Sequence, residues 1–352
     1  MRVNKLLGIV CAGIMLAAAA ATAADQKGTL TFRRTNTYTG VTTVHAGKPI
    51  RAGMIGLDTS HAVAFASLLN GPHAPQELGG MKIVAAYPVG SPDLENSLKY
   101  VEDYTAKLRG LGVEIVGSTD ELFQRVDAVL VESVDGRPHL AQARAAILAG
   151  KPVFIDKPMA ASLADAIQIF RLAKEKHVPC FSASSLRFSK GFQAARNGTS
   201  GFGSVLSCTA WGPMHTEPHH PDFFWYGIHG VETLFTIMGP GCKTVIRTGP
   251  ASAVGVWKDN RVGVFLGENT YGALVKGSKK DGYAGTFDGY APLVVQIAKF
   301  FQTGKLPVGA EETLEIMAFM EAADVSKHQG GAPVSIESVM KKAEAQISAG
   351  KQ

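Results

Sequence analysis

From Ile50 onward, short apolar runs alternate with longer stretches whose apolar residues recur every three or four positions. Ala52 to Ile55 is the first run, and the segment after it sets Val63, Phe65, Ala66, Leu68 and Leu69 along one helical face. Lys82 to Tyr87 predicts a second strand, Leu94 to Leu108 a polar helix, and Val113 to Val116 a short strand. A helix around Glu121, a strand from Ala128 to Val131, a helix from His139 to Leu148 and a strand from Pro152 to Ile155 continue the alternation. Ser162 and Asp165 resemble a capping box opening a helix with Leu163, Ala166, Ile167, Phe170 and Ala173, and Val178 to Ala183 closes the series.

Strands and helices alternating at this spacing predict an α/β domain over residues 49–183, a doubly wound parallel sheet covered on both faces. Right-handed crossovers bring all the strand C-termini to one edge, where ligands bind. Asp58, Tyr87, Glu132, Asp156 and Lys157 fall at that edge. After about Leu186 glycine becomes frequent and the apolar runs shorten: Val205 to Trp211, Val254 to Trp257, Val262 to Leu266 and Gly272 to Lys276. This predicts a second domain over 184–340 with an open, mostly antiparallel sheet, closed by a helix over 311–327 that carries Leu314, Met317, Ala318, Glu321 and Ala322.

The N-terminus follows a different pattern. Arg2 and Lys5 precede an apolar run from Leu6 to Ala21, and Ala21-Thr22-Ala23 supplies a small-x-small site. This predicts a signal peptide over 1–23, cleaved after Ala23, because a run of about 16 residues falls short of the roughly 20 that span a membrane. Val10 before Cys11 is a poor fit to a lipoprotein site, and no twin-arginine pair is present. The expectation is therefore Sec-type export of a protein with no membrane association after processing. Residues 24–48, polar and Thr-rich, read as a leader arm.

With 352 residues, 46% of them hydrophobic, the chain can build two cores. Its net charge of +5 includes Arg2 and Lys5 of the leader, and the mature part has no basic cluster. Nucleic acid is not an expected partner. Cys180, Cys208 and Cys242 are too few for a disulfide framework, and buried free thiols are expected.

Candidate chemistry gathers in three places. In "GMIGLDTSH", Gly56 fills the first position of G-x-G-x-x-G, while Asp58 and His61 replace the other two glycines. A carboxylate at the second position adds bulk and repels phosphate, whereas Thr59, Ser60 and the helix N-terminus offer donors to an anion or simply cap the helix. The second strand ends in Tyr87-Pro88-Val89-Gly90-Ser91, and its nearest acid is Asp93. In "FIDKPMA", Lys157 stands beside Asp156 at a strand mouth; a lysine there can have a lowered pKa and move a proton to or from a substrate oxygen. In "PMHTEPHHPDFFWYGIHGVETLF", His229 and Glu232 lie three apart on one face of a helix start, a pairing that can orient an imidazole for proton transfer. His215, Glu217, His219, His220 and Asp222 precede them, but the spacing matches no standard ligand motif and no metal is expected.

The residues "DAVLVESVDGRPHLAQARAAILAGKPVFIDKPMA", "SLRF", "NGTSGFGSVLSCTAWG", "GIHGVE" and the closing helix occur in the order they take in the Gfo/Idh/MocA oxidoreductases, which this chain resembles over residues 50–337. The resemblance implies a Rossmann domain holding NAD or NADP and a C-terminal α/β domain supporting a sugar-type substrate and a subunit interface, hence a homo-oligomer. It implies cofactor contacts from Gly56, Leu57, Asp58, Thr59, Ser60, His61, Glu132, His139, Asp156, Lys157 and Arg187. It makes Lys157 and His229 catalytic, with Glu232 as the acid three residues on. The chain departs from the family at two loop glycines, at the ribose acid, and at Trp225, where an acid usually stands. Three functions remain open: an exported NAD(P)-dependent oxidoreductase, a non-redox or cofactor-recycling lyase or hydrolase of glycosides, and a silent carbohydrate-binding protein.

Overall fold

A computed structural model describes residues 49–350, except 73, 75–77 and 79. The expected signal peptide and leader arm lie outside the described residues. The chain divides into two compact units, residues 49–189 with 287–314 and residues 190–286 with 315–350.

The first unit opens with β1 (Ile50–Ile55), α1 (Ser60–Asn70), β2 (Met81–Tyr87), α2 (Glu95–Gly110), β3 (Glu114–Ile115) and α3 (Thr119–Arg125). It continues through β4 (Ala128–Val131), α4 (His139–Leu148), β5 (Val153–Ile155), α5 (Leu163–Lys176) and β6 (Cys180–Ser182) to a 3₁₀ turn at Ser185–Phe188. The second unit begins with α6 (Lys190–Arg196), β7 (Val205–Gly212), a π-helical turn (Phe223–Gly227) and α7 (Ile228–Met238). The strands β8 (Cys242–Gly249), β9 (Ser252–Trp257), β10 (Val262–Gly267), β11 (Gly272–Gly277) and β12 (Gly282–Gly285) follow. The last elements along the chain are α8 (Ala291–Thr303), which belongs to the first unit, then α9 (Ala310–His328), β13 (Val334–Ser335) and α10 (Ile336–Ala349).

The first sheet has the order β3-β2-β1-β4-β5-β6, and all its pairs are parallel. β4 and β5 are apolar at every position because both faces are covered. Thr59 caps α1 by accepting from the His61 N–H, and Ala62, Phe65, Ala66 and Leu69 face inward at helical spacing. Registry aligns the strand ends. Ile55 lies opposite Tyr87 on one side and Val131 on the other, Val131 opposite Ile155, and Ile155 opposite Ser182. Gly56, Glu132 and Asp156 therefore leave the sheet side by side, where the chain departs from β1 in two directions.

Residues 287–314, placed by chain order in the second domain, pack with the first unit instead. Leu293, Ile297, Phe300 and Phe301 of α8 join Met54, Phe65, Phe154 and Phe181 in one core, with Phe181 and Phe300 edge to face at 4.9 Å. Each such side chain, fully buried, contributes about 1.5–3 kcal/mol, which decides where α8 sits.

The second sheet has the order β12-β11-β7-β10-β9-β8-β13 and is antiparallel except for β7 with β10. α7 lies on one face, where Gly230 meets the Phe265 ring, and Phe235 packs against Trp257 and Phe319. Cys180, Cys208 and Cys242 are free and buried, and burial pushes the Cys180 thiol up to about 12. Among the described residues no helix is long and apolar enough to cross a membrane.

Candidate functional site

The turn after β1 is held from both sides. Gly56 donates to the Tyr87 carbonyl at 3.1 Å and takes φ +87°, and a Cβ there would stand 2.3 Å from Ser133 Oγ and 2.5 Å from its backbone nitrogen. Only glycine allows this approach of β1 to the loop after β4. Leu57 is buried in the core below the turn. Asp58 is 2% exposed, and its Oδ1 accepts from the Val134 N–H at 2.9 Å. The carboxylate in the second glycine position thus anchors the loop after β4. Burial raises its pKa, against the nearby Ser97 hydroxyl and the Val134 N–H, which lower it. Ser60 is exposed at the first residue of α1, and Thr59 is engaged as the cap.

Glu132 follows β4 and Asp156 follows β5. Their amides donate to the Ile55 and Val131 carbonyls at 2.7 and 2.8 Å, so adjacent strands deliver both carboxylates to one spot. His61 reaches across from α1, its Nδ1 2.7 Å from Asp156 Oδ2, and its ring packs on Tyr290 at 4.8 Å and Phe65 at 5.6 Å. Burial pushes the Asp156 carboxyl up, but His61 and then Lys157 outweigh it and hold it at about 2. Glu132 has 0% exposure, and burial followed by the Asp156 charge pushes its pKa well above the usual carboxylate range, only partly opposed by Lys157. Lys157, 8% exposed, precedes Pro158 through a cis peptide bond.

Two of the expected cofactor contacts are buried and engaged within the protein. His139 has 0% exposure, and its nitrogens lie 2.9 Å from the carbonyls of Pro158 and Ser133. Burial lowers its pKa, against those two carbonyls and the Asp156 charge, and the ring lies between the loops after β4 and β5. Arg187 is 2% exposed and binds Glu312 at 2.8 Å. Both are buried and brace the site from within.

A cavity of about 370 Å³ opens beyond the ends of β2 and β4, lined by Val89, Gly90, Ser91, Pro92, Asp93, Ser133, Asp135, Arg137, Pro138 and Gln142. Arg137 forks between Asp93, at 2.7 and 2.8 Å, and Asp135, whose Oδ2 also accepts from Ser91 Oγ at 2.6 Å. Asp135 and Arg137 are missed by reading the chain locally. Their signal is "DGR" in the loop after β4, which carries meaning only once that loop faces the end of β2.

In the second unit, the π-helical turn runs directly into α7, whose second residue is His229. His229 is 5% and Glu232 3% exposed, and the imidazole lies between the rings of Tyr226 (5.9 Å) and Tyr271 (5.7 Å). π-Helical turns inside helices recur at functional sites. Glu217 accepts from Nδ1 of both His219 and His220 at 2.7 Å, so these two are held within their own loop, and His220 also packs on Trp225. Lys157 and Asp156 thus belong to one unit, and His229 and Glu232 to the other.

Residues 50–184 match a family model described as an oxidoreductase family with an NAD-binding Rossmann fold. An inositol 2-dehydrogenase of Azotobacter vinelandii is 37% identical over 113 residues, 32% of this chain and 28% of that enzyme. The match therefore spans under a third of the curated relative. A scyllo-inositol dehydrogenase of Lactobacillus casei, solved with NAD(H) and scyllo-inositol, superposes with a TM-score of 0.64 at 17% identity, covering 82% of this chain and 100% of that one. An oxidoreductase of Agrobacterium radiobacter, solved with NAD+, L-tartaric acid and magnesium, gives 0.62 at 17% identity, over 83% and 99% of the two chains. At such identities the solved structures establish the two-sheet fold. Residues 50–184 are thus similar to the NAD-binding Rossmann domain of the Gfo/Idh/MocA oxidoreductases.

Proposed function

We propose that this protein is an exported NAD(P)-dependent oxidoreductase that acts on a secondary hydroxyl of a sugar or cyclitol. The observation that carries the reading is Lys157. It follows a buried carboxylate at the C-terminal edge of the family's Rossmann sheet, next to the β1–β4 switch point.

The residues fit a dinucleotide. Gly56 keeps the tight turn, the Asp58 carboxylate is engaged below it by Val134, and the cavity beside Ser91 and Asp93 has the size and polarity for a nucleoside. Ser91, Asp93 and Asp135 would meet ribose hydroxyls, and Ser60 with the α1 N-terminus would meet phosphate. When bound, the nicotinamide would accept hydride from the carbinol carbon. Lys157 would hold the substrate hydroxyl by hydrogen bond and manage its proton. His229, steadied by two tyrosine rings, is the second acid/base candidate, with Glu232 one turn below it. A homo-oligomer is supported by Trp211, Leu274 and Tyr283, which stand together on the second sheet with Leu274 36% and Tyr283 54% exposed.

A second reading, non-redox or cofactor-recycling chemistry on glycosides, is favoured by Asp58 and His61 standing where the family has glycines. One experiment separates the two. The processed protein is denatured, the released nucleotide is identified by mass spectrometry, and reduced cofactor is followed with a panel of cyclitols and aldoses. Cofactor reduction with at least one polyol supports the oxidoreductase. Glycoside turnover without net reduction sinks it in favour of the second reading.

A further inference from the structure

Beyond the dinucleotide and independent of it, we propose that His61, Glu132 and Asp156 form a binding site for one divalent first-row metal ion, of the Mn2+ or Zn2+ kind. One imidazole nitrogen and one oxygen from each carboxylate lie within 4.8 Å of one another. Two ligands on one ion, at about 2.0–2.2 Å each, stand roughly 3–3.5 Å apart, so sub-ångström side-chain shifts close the set around an ion. The mixture suits metals that accept both imidazole and carboxylate.

The second observation is the state of the carboxylates. Glu132 has 0% exposure, and neither of its oxygens has a hydrogen-bond partner among the described residues; Asp156 Oδ1 is in the same position. A buried carboxylate without partners is costly. Protonating Glu132 removes the charge but still leaves its second oxygen without a donor among those residues. Lys157 acts on Glu132 by charge without a hydrogen bond. A cation between the three side chains would satisfy Glu132 and Asp156 Oδ1 and take the lone pair of a neutral His61 whose proton sits on the other ring nitrogen. Three protein ligands leave open positions for water or a substrate oxygen.

The site also has the rigidity that a metal centre needs. Glu132 and Asp156 are fixed by strand-end amides of adjacent strands, and His61 is wedged by Phe65 and Tyr290. Sequence reading passes over it because the ligands lie 71 and 24 residues apart, on one helix and two strand ends.

The test starts from the intact protein stripped with a chelator and titrated calorimetrically with Zn2+ and with Mn2+ alone. One ion per chain is expected, with affinity weakened at least 10-fold in Glu132→Gln and in Asp156→Asn, and tightened in Lys157→Met. Co2+ loading should give the visible bands of nitrogen–oxygen coordination in wild type and lose them in His61→Ala. The melting temperature of wild type should rise with metal, a readout that stands even if a variant fails to fold. Less than one ion per chain, or equal affinity in wild type and Glu132→Gln, overturns the site and leaves only adventitious surface binding. NAD(H) titrated in the presence of chelator keeps the two ideas apart. Cofactor binding without metal binding defeats this inference alone, and metal binding without cofactor binding leaves it standing while the oxidoreductase reading falls.

Discussion

Lys157 is buried at a strand end, beside Asp156. Lys157→Met keeps the stem and removes the proton, so turnover should fall roughly 10²–10⁴-fold while the circular-dichroism spectrum and melting temperature stay near wild type. Turnover within a few-fold of wild type would take the lysine out of the mechanism. Asp58 offers a different test, because its Oδ1 has a structural task. Asp58→Asn keeps an acceptor for the Val134 N–H and removes the charge. NAD(H) should bind more tightly in a titration. The raised pKa of Asp58 also makes its ionised form a cost to the fold. Its contribution is present below the unfolded pKa of about 4 and is lost as pH rises, so the stability advantage of Asp58→Asn should grow from about pH 4 upward. An advantage that shrinks with pH would show that the loop depends on the charge itself.

At the scale of elements, α7 is the one whose placement matters most. Gly230, next to His229, lets α7 lie on β10, and a Cβ there would come 2.3 Å from the Phe265 ring. Gly230→Ala should cost about 1–3 kcal/mol by overpacking, read by denaturant titration, and should lower turnover because the helix carrying His229 must shift. A variant as stable and as active as wild type would show that Phe265 yields freely. The π-helical turn before α7 is tied to other elements through Arg247. This arginine binds Asp222 at 3.0 Å and Asp324 at 3.2 Å and packs on the Phe223 ring at 4.3 Å. Burial, then the charge of Asp222, raises Asp324 to about 7 in spite of Arg247. A raised acid stabilises the fold below its unfolded pKa, and that contribution is lost as pH climbs to the folded value. From about pH 4 to about 7, wild type should therefore lose melting temperature that Asp324→Asn keeps. Parallel curves for the two proteins would contradict the assignment.

For the whole molecule, the expected leader makes a prediction that needs no structure. Protein recovered from outside the cytoplasm should begin at Ala24, and N-terminal sequencing that returns Met1 would count against export by cleavage. The order of strands and helices from β1 to β6, the parallel sheet and the closing helix α9 were legible from apolar periodicity alone. Less was legible later in the chain. β8 and β12, with alternating or glycine-rich patterns, and α8, whose apolar face continues a core built about 200 residues earlier, gave no decisive local signal. The domain assignment of residues 287–314 was missed for the same reason.

Periodicity and capping are short-range properties, so the chain alone determined which segments become strands and helices, and that the ends of β1, β4 and β5 carry Asp58, Glu132, Asp156 and Lys157. Which of those residues touch is a question of registry and of loops meeting across the sheet. Only the folded structure set Asp58 against Val134, His139 between Ser133 and Pro158, Arg187 against Glu312, Arg137 between Asp93 and Asp135, and His61 against Asp156 beside Glu132, whose oxygens have no hydrogen-bond partner among the described residues. The physical reason is the range of the forces: hydrophobic pattern is written every two to four residues, whereas buried polar groups take their partners from wherever packing leaves them, here up to 125 residues away.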